Sequence, residues 1–111
     1  MSRLSEEDKA DLKQAVYEIV AAIPKGKVSS YGEVARLAGY PGYQRMVGRI
    51  LRDVTEEMGL PSHRVLNSQG RLVPGWTQQV SLLHNEGIML KPNGCVDMKK
   101  FGWNPMKEFE E

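Results

Sequence analysis

The first predicted helix is defined by apolar residues that recur every three or four positions and would share one face. These are Leu12, Val16, Ile19, Val20 and Ile23. Ser5 precedes an acidic first turn and can cap the helix N-terminus. The segment "PKGK" that follows contains a proline and a glycine, which end a helix. The pattern therefore predicts a helix over about Ser5–Ala22.

A short helix and a second amphipathic helix follow, separated by a turn that contains glycine and proline. Ser30 and Glu33 have the spacing of a capping box, and Gly39 has the position of a C-terminal cap, which predicts a helix at about Tyr31–Ala38. The segment "YPGY" then leads into a third predicted helix at about Gln44–Glu57. Its apolar face would contain Met46, Val47, Ile50, Leu51 and Val54. Two helices joined in this way are typical of a helix-turn-helix.

The next two segments predict a hairpin and one more helix. "RVLNSQGRLV" has apolar residues on both sides of a turn at Asn67–Gly70 and predicts a small β-hairpin, the wing of a winged helix-turn-helix. "TQQVSLLHNEG" predicts a helix that ends at Gly87, with Val80 and Leu83 facing inward.

The chain from Ile88 to residue 111 shows no clear periodicity and is predicted to be irregular, held by Phe101 and Trp103. With 111 residues and no internal repeat, residues 1–111 are expected to form a single domain. The predicted fold class is mainly α with a small β-hairpin, a winged helix-turn-helix-like DNA-binding domain.

The polar face of the third helix has an unusual composition. Arg45, Gly48, Arg49 and Arg52 lie at positions i, i+3, i+4 and i+7, so that three arginines would form one stripe suited to phosphate groups. A glycine inside a helix costs about 1 kcal/mol relative to alanine. Gly48 therefore indicates that the helix backbone approaches something closely, and the sequence leaves open whether that is DNA or another helix.

The overall composition is that of an ordinary globular domain, with 41% hydrophobic residues, 26% charged residues and a net charge of +1. The charges are distributed unevenly, because Pro24 to Arg71 contains eight basic and four acidic residues. A locally positive segment suits a polyanion such as nucleic acid, and a solvated basic face is the alternative.

Several classes of protein are disfavoured by what the sequence lacks. Cys95 is the single cysteine, and His63 and His84 do not have the spacing of a metal motif, so we expect no disulfide, metal or cofactor. The initial "MSRLSEEDKADLK" has no apolar stretch, and no segment is apolar over the length of a membrane span. We therefore expect a cytoplasmic protein without membrane contact.

Four motifs occur in order along the chain: "IPKGKVSSYGEVARLAG", "RMVGRIL", "PSHRVLNSQG" and "LLHNEG". Together they resemble the DNA-binding domain of the O6-alkylguanine-DNA alkyltransferases, the methylated-DNA–protein-cysteine methyltransferases, over about residues 12–87. The active-site signature of that family is Pro-Cys-His-Arg, and the corresponding segment here is Pro61–Arg64, with Ser62 at the position of the alkyl-accepting cysteine. This departure resembles the alkyltransferase-like proteins, which bind O6-alkylguanine in DNA without accepting the alkyl group.

The resemblance implies how DNA would be held. Tyr31 would crowd the phosphate of the target nucleotide and favour its rotation out of the duplex, and Arg45 would enter the duplex and fill the vacated space. The helix with Gly48, Arg49 and Arg52 would lie in the minor groove. The implied partners are alkylated double-stranded DNA and nucleotide excision repair proteins, and we expect a monomer that associates with the nucleoid if the source is bacterial.

The resemblance also implies a lesion pocket formed by the Ser62 loop, the end of the hairpin and the segment "VPGWTQQ". Its predicted residues are Pro61, Ser62, His63, Arg64 and Trp76. His63 and Glu86 match the residues that activate the thiol of the family, and here they would remain as a hydrogen-bonded scaffold that Arg64 buttresses. Trp76 would stack on a flipped guanine, or it would pack in the core.

The chemistry of alkyl transfer argues against Ser62 as a nucleophile. Displacement at a saturated carbon needs an ionised, soft nucleophile, and a serine hydroxyl is not appreciably ionised near neutral pH. A saturated carbon also develops no oxyanion for a serine-hydrolase type of site to stabilise. In an extended segment, Ser62 and His63 would point to opposite sides and could not act as a pair.

The leading hypothesis is thus a non-enzymatic sensor of O6-alkylguanine. Two alternatives stay open. One is a dealkylating enzyme that uses Ser62 or Cys95, and the other is a winged-helix transcriptional regulator that binds a defined DNA sequence.

Overall fold

The computed structural model describes residues 4–106 and shows a mainly helical chain with one small β-sheet. Helix α1 spans Glu6–Ala22 and begins where the sequence predicts. A capping box fixes this end, because Ser5 Oγ accepts the backbone N–H of Asp8 and the Asp8 carboxylate accepts that of Ser5. Three residues on the inner face of α1 are buried: Leu12, Val16 and Val20.

The predicted helix-turn-helix consists of α2 (Tyr31–Leu37) and α3 (Gln44–Arg52), which pack against each other. Ser30 Oγ caps α2 by accepting the backbone N–H of Glu33 at 3.1 Å. These helices and α1 enclose the larger hydrophobic cluster of the core. This cluster fixes the orientation of α3, since its buried face contains Val47 and Leu51. The polar face of α3 is consequently turned away from the core.

Helix α3 ends at Arg52, so the predicted end at Glu57 was wrong. Thr55 has an extended backbone and precedes a separate 3₁₀ turn at Glu56–Met58. Two adjacent β-branched residues, Val54 and Thr55, favour the helix less than unbranched residues do. Val54 instead packs against the core from outside the helix.

The predicted hairpin was also wrong. Strand β1 (Ser29–Ser30) pairs in parallel with β2 (Val65–Leu66). The tight turn after β2 is present, with the Gly70 N–H donating to the Asn67 carbonyl at 3.0 Å, but residues 71–73 form no strand. Both residues of β2 are completely buried, so β2 lies inside the domain and pairs with another interior segment, unlike a strand of an exposed wing.

Helix α4 spans Gln79–His84, inside the segment predicted to be helical, and buries Leu83 as expected. Leu83 belongs to a second, smaller hydrophobic cluster. Its buried members are Val28, Leu66, Leu83, Ile88 and Val96. Within residues 4–106, no helix combines the length and the apolar character needed to cross a membrane.

The C-terminal segment is more ordered than predicted. It contains helix α5 (Met98–Phe101) and then returns to the start of β1. The Val28 N–H donates to the Phe101 carbonyl at 2.9 Å, and the Trp103 N–H donates to the Val28 carbonyl at 2.7 Å. Phe101 and Trp103 thus hold this segment, as predicted, with their backbones as well as their side chains. The remainder of the predicted extension, residues 107–111, lies outside the described residues.

Candidate nucleic-acid interface

A cavity of about 570 Å³ lies beside the polar face of α3. This volume is within the range of small-molecule sites, roughly 300–1,000 Å³. The whole predicted stripe of α3 lines it, together with Tyr31 from the start of α2. The lining residues are Tyr31, Gln44, Arg45, Gly48, Arg49, Leu51, Arg52, Ser62, Val73, Pro74 and Trp76. The structure therefore brings together all five of the predicted DNA-contacting residues.

Gly48 lies in the middle of α3 with open space above its Cα. A Cβ atom built at this position would meet no heavy atom within 4 Å among the described residues. Packing of α3 against another helix does not explain the glycine, which excludes one of the two interpretations left open by the sequence. The small residue leaves room at the cavity wall, between the exposed side chains of Arg45 and Arg49.

Tyr31 is half-buried, packs against the larger core cluster and also lines the cavity. Burial raises the pKa of its hydroxyl, and the nearby Arg52 cation opposes this effect. The hydroxyl therefore stays neutral at physiological pH. A neutral phenol can approach a phosphate without adding negative charge to it.

Ser62 contributes a buried hydroxyl to the cavity wall. It lies in a 3₁₀ turn, Ser62–Arg64, so the expected extended backbone was wrong. Ser62 and His63 nevertheless do not form a pair, as expected. Ser62 Oγ is buried without a hydrogen-bond partner among residues 4–106, and His63 is bonded to Glu86. A buried hydroxyl without a partner costs about 1–3 kcal/mol. The Ser62 hydroxyl therefore has unused hydrogen-bonding capacity beside the cavity, although its oxygen is shielded from solvent.

Glu86 holds the turn that contains Ser62. His63 Nε2 lies 2.8 Å from Glu86 Oε2, and the Arg64 guanidinium donates to both oxygens of the same carboxylate at 2.6–3.1 Å. Burial by itself raises the pKa of Glu86, but the hydrogen bonds and charges of Arg64 and His63 outweigh it and lower the pKa to about 2. Arg64 also donates to the Ile23 carbonyl at 2.8 Å, at the C-terminus of α1.

This network changes the predicted composition of the lesion pocket. Only Ser62 and Trp76 of the five predicted residues line the cavity. His63 and Arg64 bind Glu86 and form the predicted scaffold, and Pro61 precedes the 3₁₀ turn as its cap residue. The reason is that successive residues of a 3₁₀ turn point in different directions, with three residues per turn. Ser62 therefore lines the cavity while His63 and Arg64 do not.

Trp76 lines the cavity together with Val73 and Pro74 of the predicted "VPGWTQQ" segment. It belongs to neither hydrophobic cluster of the described residues, and it is partly exposed. The alternative of a core tryptophan is thereby excluded. Its ring is available at the cavity wall for stacking on a planar ligand.

Sequence reasoning missed Gln79, which ties the two walls of the cavity together. Its side chain is completely buried, accepts the Val73 N–H at 2.7 Å and donates to the His63 carbonyl at 3.0 Å. The available signal was its position four residues before Leu83, which places both on the inner face of the same helix. A buried amide with both groups bonded indicates a fixed connection between the turn and the segment opposite it.

Cys95 is partly buried and is not among the residues that line the cavity. Its position is fixed locally, since its N–H donates to Asn93 Oδ1 and its carbonyl accepts the Lys91 N–H. The geometry thus offers no support for Cys95 as an alkyl acceptor at this site.

The helix-turn-helix, with an arginine stripe that lines a cavity, belongs to an alkyltransferase-like DNA-binding fold. A crystal structure of S. pombe Atl1 in complex with damaged DNA containing O6-carboxymethylguanine superimposes on the chain with a TM-score of 0.78. The two are 32% identical, and the match covers 94% of this chain and all of the other.

The sequence comparisons agree with the structural one. Residues 11–88 match the family described as 6-O-methylguanine DNA methyltransferase, DNA binding domain. The chain is 43% identical over 93 residues to a DNA base-flipping protein of Vibrio parahaemolyticus, covering 81% of this chain and 93% of that protein. It is 39% identical over 109 residues to a DNA base-flipping protein of Escherichia coli, covering 92% and 84% respectively. The chain belongs to the 6-O-methylguanine DNA methyltransferase DNA-binding domain family, which confirms the resemblance noted in the sequence.

Proposed function

We propose that this protein recognises O6-alkylguanine in double-stranded DNA by flipping the damaged nucleotide into the cavity beside α3, and that it transfers no alkyl group. The observation that supports this most directly is Ser62. Ser62 lines the cavity, and its buried hydroxyl has no hydrogen-bond partner among residues 4–106. The family resemblance implies that this is the position of the acceptor cysteine. The site has the shape needed for recognition and lacks the thiol needed for the reaction.

The cavity wall supports the flipping mechanism. Arg45 is exposed near the start of α3, where its guanidinium can enter the duplex and fill the space left by the flipped base. Tyr31 lies on the opposing helix and meets the same cavity, where it can crowd the target phosphate. Arg49 and Arg52 continue the positive surface along α3 for contacts to neighbouring phosphates.

The arrangement of His63 and Glu86 supports binding without transfer. In this chain His63 Nε2 is bonded to Glu86, and Ser62 Oγ has no partner in the described residues that could remove its proton. A neutral hydroxyl is a poor nucleophile toward a saturated carbon. The two bacterial relatives named DNA base-flipping proteins are consistent with such a role.

Further expectations rest on the family resemblance. We propose that the protein–DNA complex is passed to nucleotide excision repair proteins, that the protein is a monomer, and that it is cytoplasmic and associated with the nucleoid in a bacterial cell.

The proposal is tested by titrating matched duplexes that contain guanine or O6-methylguanine and following fluorescence anisotropy of a labelled strand. Tighter binding to the alkylated duplex in more than one sequence context is expected. Equal affinity for both duplexes, with dependence on the flanking sequence, would instead identify a transcriptional regulator. The protein and the oligonucleotide are weighed after incubation. A methyl group gained by the protein or lost from the DNA would show that it is an enzyme.

Arg45→Ala tests the flipping mechanism. We expect the variant to lose the preference for the alkylated duplex while its thermal unfolding is unchanged, because Arg45 is exposed. Arg71→Ala is the matched control, since Arg71 is an exposed arginine outside the cavity lining. An Arg45→Ala variant with unchanged lesion affinity would contradict the proposed role.

A further inference from the structure

A second concave surface, a groove of about 700 Å³, lies between α2, α5 and the chain that follows α5. We call it the rear groove, and its lining combines basic residues with two large apolar side chains. The lining residues are Lys27, Glu33, Arg36, Met98, Lys99, Lys100, Gly102, Trp103 and Asn104. None of them lines the cavity beside α3.

The rear groove lies on the side of α2 away from Tyr31. An α-helix turns roughly 100° per residue, so Arg36 is roughly 140° around the helix axis from Tyr31. Tyr31 lines the cavity beside α3, and Arg36 lines the rear groove. A ligand can therefore occupy the rear groove while DNA occupies the other surface.

The charge of the rear groove is not balanced within the described part of the chain. Its single carboxylate, Glu33, accepts hydrogen bonds from Nε and Nη2 of the Arg36 guanidinium. Lys27, Lys99 and Lys100 form no ion pair with any residue between positions 4 and 106. Among the described residues, four cationic side chains and one carboxylate therefore line the groove, and this excess of positive charge attracts carboxylates.

The base of the rear groove is held in place by backbone contacts. The residues on both sides of Gly102 bond to Val28. The Phe101 carbonyl accepts the Val28 N–H, and the Trp103 N–H donates to the Val28 carbonyl. Trp103 and Met98 present apolar surface between the lysines. A preformed groove of this kind loses little entropy when a ligand binds.

We propose that the rear groove is a docking site for an acidic peptide segment of a partner protein, with glutamate or aspartate side chains placed around an apolar residue. The carboxylates would bind Lys27, Lys99 and Lys100, and the apolar residue would contact Met98 and Trp103. A flat or convex basic surface would suit a duplex backbone equally well, but a concave groove with apolar side chains between its cations favours a peptide. This inference does not depend on the lesion specificity of the other surface.

The test uses the full chain and a fluorescein-labelled synthetic peptide of glutamates around a single phenylalanine, followed by anisotropy. A peptide with lysine in place of every glutamate is the control ligand. We expect salt-sensitive binding of the acidic peptide and none of the basic one. In a Trp76→Phe protein, Trp103 is the single tryptophan, and its emission should shift to shorter wavelength as the peptide excludes water from the groove.

Charge reversal locates the site. The double variant Lys99→Glu, Lys100→Glu should weaken peptide binding by about tenfold or more, because two favourable pairs become repulsive. The matched control reverses two lysines on the exposed side of α1, Lys9→Glu with Lys13→Glu, and should bind the peptide with little change. Circular dichroism should show the same helix content in both variants.

Two results would overturn the inference. One is equal loss of peptide binding in the two double variants, which would indicate only a general effect of net charge. The other is absence of binding of the acidic peptide to the unaltered protein. If the Lys99→Glu, Lys100→Glu variant also binds an undamaged duplex more weakly, the rear groove is part of the DNA-binding surface.

Discussion

Replacing Gly48 with alanine should stabilise the protein and at the same time weaken its binding to DNA. The two effects have separate origins. Gly48 lies inside α3, where alanine is favoured by about 0.8–1.0 kcal/mol in a helix interior. The added methyl group meets no heavy atom within 4 Å among the described residues, so no steric cost offsets the gain.

The expected gain is therefore about 1 kcal/mol in the free energy of unfolding. For a domain of this size, that corresponds to a rise of about 4 °C in the melting temperature. On the DNA-binding surface the same methyl group would keep the helix backbone from approaching the minor groove. We expect the dissociation constant for O6-methylguanine duplex to increase about tenfold, equivalent to about 1.4 kcal/mol.

Urea denaturation followed by circular dichroism measures the first effect, and anisotropy with a labelled duplex measures the second. Gly32→Ala is the matched control, because Gly32 is an exposed helical glycine with open space above it that does not line the cavity. It should be neutral or slightly stabilising and leave DNA affinity unchanged. If Gly48→Ala stabilises the fold without weakening DNA binding, the argument that DNA requires a small residue here is refuted.

Three further substitutions, and one control substitution, have defined outcomes. Ser62→Ala removes a buried hydroxyl that has no partner among residues 4–106 and should raise the free energy of unfolding by about 1 kcal/mol while weakening lesion binding. Ser29→Ala removes the other such hydroxyl and should raise the stability without changing DNA binding. Chemical denaturation measures the stability of each variant, and anisotropy measures its DNA binding. Equal loss of DNA binding in the two variants would contradict a contact from Ser62 to the base. Since the pKa of Glu86 is lowered from 4.5 to about 2, its ionisation contributes stability that is complete above pH 4.5 and is lost as the pH falls toward 2. Glu86→Gln should therefore be destabilised near neutral pH and should lose less stability than the wild type on acidification. An equal loss of stability in the two proteins across an acid titration would refute this. Trp76→Ala should weaken binding of the flipped base by about 1–3 kcal/mol and leave the melting temperature nearly unchanged, as measured by anisotropy and thermal unfolding.

The positions of α1 to α4 were predictable because their signals are local. The Ser5 cap and the apolar spacing of α1 depend only on neighbouring residues, and so does the arginine stripe of α3. The motifs shared with the family then assigned the stripe to DNA. These features needed no knowledge of contacts between distant parts of the chain.

Several of the features that the sequence did not predict depend on such distant contacts. The pairing of β2 with β1 joins residues about thirty-six positions apart, whereas the turn at Asn67–Gly70 favoured a local hairpin. Likewise, nothing local distinguishes Arg64 as a ligand of Glu86 from Arg64 as a residue of the pocket wall. Gln79 was missed for the same reason, because both of its partners lie on other segments.

The bonds of Arg64 have a consequence for how the protein folds. They join the Ser62 turn to a carbonyl at the end of α1, 41 residues earlier, and to Glu86, 22 residues later. The turn therefore cannot adopt its final shape until the chain has been made and packed at least as far as α4. In amide hydrogen exchange, the N–H of Arg64, which is bonded to the Pro61 carbonyl, should exchange only when the whole domain unfolds. The wall of the cavity should in this respect be as stable as the core, although it lies at the surface of the protein.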